Sequence, residues 1–273
     1  MLEALLAAAA LVQPAPSEAA RFAPPLDKPF AYVTVETRDD AGVERRFRSE
    51  RRLVFHKEDG GYVATVTLLH AASGDGGDVG GMFAAALGAL EGTPIRIHLD
   101  RAGKVTALDD RDVLWERLCT GFEAMAPDAN AGRAHAIAAA LRALPAGTRV
   151  AMLGSLVATV IGGGEAALAP GSEQAVSLKT RPPAGAPIAI PATQRVSIAP
   201  DGLIDIRTDA ETDVPATGNQ ARAHLAIERH RLIDPATGLV RRSEETRRTT
   251  LSTEADQSVG ISHTVTTLVP LVS

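Results

Sequence analysis

Val150–Gly164 reads VAMLGSLVATVIGGG, a stretch without a charged residue and apolar almost all round. An isolated helix of that kind has no wet face, so it must be buried against something large. It ends the only long part of the chain with helical periodicity, Asp109 to Gly164. Asp109-Asp110-Arg111-Asp112 supplies an N-cap and an acidic first turn, after which Leu114, Trp115, Leu118, Phe122 and Met125 recur at helical spacing. Pro127 to Gly132 breaks that helix. A second is expected over Arg133–Leu144, with Ile137, Leu141 and Leu144 inward, and Pro145-Ala146-Gly147 separates it from the third. In the third, Val150, Leu153, Val157, Val160 and Ile161 run along one side. The small residues Ala151, Gly154, Ser155 and Ala158 run along the other, which allows close approach of a neighbour, and Gly162-Gly163-Gly164 ends it.

On both sides of this insert the pattern changes to period two. Phe30–Arg38, Val43–His56 and Tyr62–Leu69 alternate as strands do, joined by polar turns at Asp39–Gly42 and Glu58–Gly61. Val43, Phe47, Leu53 and Phe55 share one face of the second strand, and Glu44, Arg46, Arg48, Glu50 and Arg52 share the other. Ile95–Asp100 and Lys104–Leu108 form a hairpin. After the insert, Gln174–Lys179, Ile188–Ile198, Leu203–Asp209, Ala221–Ile233, Leu239–Leu251 and Val259–Val269 all have strand character. Pro200-Asp201-Gly202 and Asp234–Gly238 are turn signals between them. In the strand ending at Ile233, the alternation puts Leu225, Ile227, Arg229, Arg231 and Ile233 on one face. These readings predict an α+β chain: a curved antiparallel sheet, half-barrel or open barrel, packed on a central helical insert at 109–164, all within one β-rich domain at 20–273.

The 273 residues are 45% hydrophobic, enough for a substantial core, and only 3% aromatic, so aliphatic packing should dominate. A net charge of -5 gives no general basic footprint for nucleic acid. Leu2–Val12 is a short apolar run followed by Gln13–Ala19, which reads as the hydrophobic core and small-residue cleavage site of a signal peptide at 1–19, although no Lys or Arg precedes it. It is too short to anchor in a bilayer, and no transmembrane segment is expected. The expected compartment is the periplasm or the exterior.

Reactive patterns are sparse. Cys119, the single cysteine, reads as a small buried hydrophobe. Ser73–Gly81 is a glycine-rich loop ahead of a short expected helix, Met82–Leu90. It lacks the lysine of a phosphate loop, and Asp75 and Asp78 would repel an anion. The histidines show no paired metal-binding spacing. His224 and His230 share a strand face but lie about 20 Å apart. Gly260–Thr264 lacks the second glycine of a nucleophile elbow. The sequence therefore points to a non-enzymatic protein with no metal and no cofactor. Its arginine-rich strands carry Arg45, Arg46, Arg48, Arg51 and Arg52, then Arg241, Arg242, Arg247 and Arg248. With glutamates interleaved, they read as cross-strand ion pairs on a solvated face and as blunted sheet edges, or else as a contact for an anionic headgroup or envelope polymer.

Thr37–Phe55 (TRDDAGVERRFRSERRLVF), Ile95–Asp109 (IRIHLDRAGKVTALD), Leu168–Val176 (LAPGSEQAV) and Leu232–Thr250 (LIDPATGLVRRSEETRRTT) resemble stretches of secreted β-rich proteins of Gram-negative bacteria. The layout of strands, central helices and more strands is similar to the half-barrel of periplasmic lipoprotein-carrier proteins. That resemblance implies an apolar concavity that holds acyl chains under a helical lid, and it carries over no individual site residue. The expected function is binding of a hydrophobic or lipid-like ligand between the curved sheet and the apolar helix, with Val150, Leu153, Val157, Val160 and Ile161 as its wall. In that case Asp at Leu153 or Val157 abolishes binding. The alternative is a structural or interaction protein of the envelope that meets a protein partner through its Arg/Glu strand face. The third helix itself reads either as a permanent core helix or as a groove wall.

Overall fold

A computed structural model describes residues 22–40, 42–74, 87–124, 131–162, 165, 168–180, 188–215, 222–252 and 257–271. Among these, strands β1 (Pro29–Asp40), β2 (Val43–Glu58), β3 (Gly61–Ser73), β4 (Pro94–Asp100) and β5 (Val105–Leu108) come first. Helices α1 (Arg111–Ala124), α2 (Ala131–Arg142) and α3 (Ala146–Ala158) follow. Then come β6 (Glu173–Thr180), β7 (Ile188–Ile198), β8 (Ile204–Val214), β9 (Arg222–Ile233), β10 (Val240–Ser252) and β11 (Gln257–Pro270). The expected α+β class is present: the strands make one open, curved antiparallel sheet of 11, not closed into a barrel, with the helices packed on it.

The spatial order is β5-β4-β3-β2-β1-β11-β10-β9-β8-β7-β6. Each half of the chain is a meander that runs outward from the middle of the sheet, as short polar turns favour. The two meanders meet along β1–β11, where Phe30 lies opposite Pro270 and Asp40 opposite Gly260. Because β5 and β6 are the two opposite edges, the segment between them has to travel from one edge of the sheet to the other. The helices lie on that path, and this is why the uncharged stretch ends up over a sheet face.

Packing explains which face is dry. Strand alternation places Phe30 and Tyr32 of β1, Leu53 and Phe55 of β2, Ala64 and Val66 of β3, and Ile95 and Ile97 of β4 against Leu114, Trp115 and Cys119 of α1, and Leu153 and Val157 of α3. The Trp115 indole N–H donates to Leu141 O (3.0 Å), and Arg142 spans Glu116 and Glu123, each at 2.6 Å, so α1 and α2 are fastened both inside and outside. Gly103 lets the β4–β5 turn pass beneath the core: its φ is +81°, and a Cβ there would sit 2.7 Å from Ile161 Cγ2.

Several expectations are corrected. The third helix spans Ala146–Ala158 and not Val150–Ile161. Val160 and Ile161 leave it to join the β9–β10 turn: Val240 N–H donates to Val160 O (3.0 Å), and Ile161 bridges Leu239. Tertiary hydrogen bonds there replace the last helical turn. The arginine-rich strands β2 and β10 are interior and not edges, so their charges do not blunt the sheet. Within the expected start at Asp109–Asp112, Asp112 supplies the acidic first turn, while the Asp109 carboxylate accepts from His98 (2.7 Å) and Arg96 (3.0 Å). The loop at Ser73–Gly81 and the short helix expected at Met82–Leu90 lie mostly outside the described residues, although Leu90 is in the main core.

Candidate binding cleft

The helix-side face becomes polar where the two meanders meet. In β9 the alternation places Ile227, Arg229, Arg231 and Ile233 on that face, as the sequence indicated. Register then sets Glu245 opposite Arg229 and Ser243 opposite Arg231. Thr264 faces Glu245, and Thr266 faces Ser243. Together with Ala158 and Thr159 at the end of α3, these residues line a cleft of about 400 Å³.

Both arginines are held in place. Arg229 donates to Glu245 at 2.6 and 2.8 Å. Arg231 pairs with Glu165 and donates to Ile161 O (3.1 Å). Burial pushes the Arg231 guanidinium below the ordinary arginine pKa, against the opposing charge of Glu165. The pairing keeps it a cation, since an unpaired charge at such a place is very costly. The hydroxyl row continues past the cleft. Thr266 and Thr34 face each other at 3.3 Å, and Arg51 donates to Thr34 (3.3 Å) and Ser49 (2.8 Å) with its guanidinium over the Tyr32 ring at 4.6 Å. Arg51 is only 9% exposed.

A second depression of about 630 Å³ runs along the other side of α3, between Val150, Ala151, Gly154, Ser155, Ala158 and Ile161 and the Ala102–Val105 segment. It is mainly apolar, and Gly154 permits it because a Cβ there would crowd Val105 at 3.2 Å. The two depressions share Ala158. Of the wall residues expected from sequence, Val150 and Ile161 line this groove. Leu153, Val157 and Val160 are 3%, 0% and 0% exposed and belong to the main core. What sequence reasoning missed is the inward placement of Arg51 and the meeting of Arg229 with Glu245. The alternation in β9 carried part of that signal, but the strand pairing did not show until the register was known.

The histidines lie apart from the cleft. His98 bonds Glu58 and Asp109, each at 2.7 Å, which raises its pKa. His224 pairs with Asp213 (2.9 Å) and Glu211 (3.0 Å), and His230 with Asp205 (3.0 Å). Among the described residues, no group of three or more His, Cys, Asp or Glu is placed to hold a metal. Cys119 is buried in the core, and burial pushes its thiol pKa up. No single helix among the described residues is long and apolar enough to cross a membrane. Compared with known protein families and with curated proteins, the chain matches none.

Proposed function

We propose that this chain is a non-enzymatic binding protein of the periplasm or exterior whose ligand is amphipathic and lipid-like, carrying an acidic or strongly hydrogen-bonding head. The observation that carries this reading is the junction at Ala158, where a polar cleft and an apolar groove meet on either side of one helix. A head that accepts hydrogen bonds fits Arg229, Ser243, Thr264 and Thr266, because a purely apolar ligand would strip water from them without replacement. An aliphatic tail fits Val150, Ala151, Gly154 and Val105. The pocket expected from sequence is thereby moved from the buried side of the helix to its C-terminal end and outer side. Export rests on the Leu2–Val12 run.

The envelope-partner alternative has weaker support. Arg48, Arg195 and Arg242 already pair with Glu50, Glu173 and Glu244 within the chain. Arg241 is turned toward Asp234 (2.8 Å) and the Phe30 ring, so it and Arg242 do not form one patch.

The test is native mass spectrometry of the exported protein with lipid extraction, repeated on Ala158→Trp and Arg229→Gln. A co-purifying acyl-chain species that disappears in folded Ala158→Trp and weakens in Arg229→Gln supports the reading. An apo mass in the parent protein, with no acidic lipid binding on titration, overturns it.

A further inference from the structure

The sheet is open, and its two edges differ. The β5 edge is Val105–Leu108, with a register shift beside His98. The β6 edge is the 8-residue strand EQAVSLKT, Glu173–Thr180, without proline or bulge. Among the described residues no strand pairs with its outer side, and a regular strand so placed offers a row of backbone groups for pairing, which natural sheets ordinarily blunt.

Hydrogen bonding to β7 shows which groups face outward. Val196 N–H donates to Ser172 O (3.0 Å), and the register continues with Glu173 opposite Arg195. Residues in an antiparallel strand point their N–H and C=O alternately to either side. Gln174, Val176, Leu178 and Thr180 therefore turn theirs to β7, while Glu173, Ala175, Ser177 and Lys179 turn theirs to the open side. Pro191 of β7 lies opposite Ser177, a position that asks for no N–H toward β6, in agreement with this assignment.

The outward set is self-complementary. When a second copy lies antiparallel with its two-fold axis at Val176, Glu173 faces the partner's Lys179 and Ala175 faces the partner's Ser177. All of these are outward-pointing residues, so about eight hydrogen bonds form across the pair. Shifting the register by two residues either way parts Glu173 from the partner's Lys179. Lys179 has no acidic partner among the described residues, whereas Glu173 already meets Arg195 at 2.9 Å, so the partner's Lys179 would extend an alternating row. On the other face, the cluster Leu178, Ile190, Ala192, Ala210 and Ile227 reaches this edge with Val176 only half-buried. The partner's Val176 would cover it.

We propose that the chain forms a two-fold dimer through β6, joining two sheets edge to edge in that register. The pairing is isologous, and because edge contact alone buries little area the association is weak and depends on concentration.

Sedimentation velocity over a hundred-fold range of concentration tests it. The parent protein should shift from monomer toward dimer. Ser177→Pro removes an outward N–H without touching the ladder to β7, and should leave a folded monomer. Lys179→Glu and Glu173→Lys should each weaken self-association about tenfold or more through like-charge contacts, while an equimolar mixture of the two regains the dimer. Circular dichroism confirms that each variant is folded. A parent protein that stays monomeric, a dimer that survives Ser177→Pro, or a mixture that fails to pair overturns the proposal. None of these changes touches the cleft, so lipid binding stands or falls separately.

Discussion

At Gly103 a single absent methyl decides whether the β4–β5 turn can seat under the core. The backbone is left-handed there (φ +81°), and Ile161 and the Phe22 ring stand where a Cβ would go. Gly103→Ala should cost about 1–3 kcal/mol from the conformation and the crowding together, measurable by urea unfolding. His98 offers a pH test. Its hydrogen bonds to Asp109 and then Glu58 raise its pKa above the ordinary 6.5, so the folded state holds the proton more tightly than the unfolded chain. That contribution is fully present below pH 6.5 and is lost as pH rises through the folded pKa. His98→Gln should therefore lose more stability at pH 6 than at pH 8, by under about 1 kcal/mol given the exposed carboxylates. A thermal melt series with an NMR titration of the ring checks both the sign and the pKa. These single-residue features were only half legible in the sequence. Alternation told which residues share a face with Arg229 and Arg231, yet Arg51 was grouped with its exposed neighbours Arg48 and Arg52, although it lies on the opposite, dry face.

At the scale of elements, α3 was legible as a helix, but its burial was over-read. Only Leu153, Gly154 and Val157 are buried, Ala151, Met152, Ser155 and Ala158 are exposed, and Arg149 lies within it. Small and weakly apolar residues on its outer side thus face solvent, without a partner element among the described residues. Its ends were not legible, since they are set by bonds to distant groups such as Val240 N–H. Its two sides now separate experimentally. Leu153→Ala opens a cavity in the main core and should cost about 2–5 kcal/mol. Val150→Ala, on the half-buried groove side, should cost about 1 kcal/mol or less. Denaturant midpoints at constant m-value measure the difference. Asp at Val157 would place an uncompensated carboxylate at a fully buried site and unfold the protein, so the loss of binding first expected from it would report folding and not contact with a ligand. Strand existence was read well because period two is plain in Ile188–Ile198 and its neighbours. Strand lengths were read short at the ends where polar residues continue the ladder, as in Thr212–Val214.

For the whole molecule, the sequence exposed two meanders and a helical link but not how they join, because pairing between β1 and β11 leaves no local trace. The link's path from one edge to the other explains why an apolar helix and an arginine-bearing floor come to share one cleft. Removing β11 by ending the chain at residue 256 should strip β1 and β10 of their partner together and give aggregated protein on size-exclusion chromatography, whereas a seam of minor importance would leave a soluble monomer. That central seam also orders events in time. The β1–β5 meander is made of contacts close in sequence, whereas the flank of β1 is completed only by β11, far along the chain. Until Gln257–Pro270 pairs, the flank of β1 is an open margin in the middle of the sheet, and because that pairing closes a very long loop it is expected to be a slow step of refolding, which stopped-flow measurement on the intact chain would show.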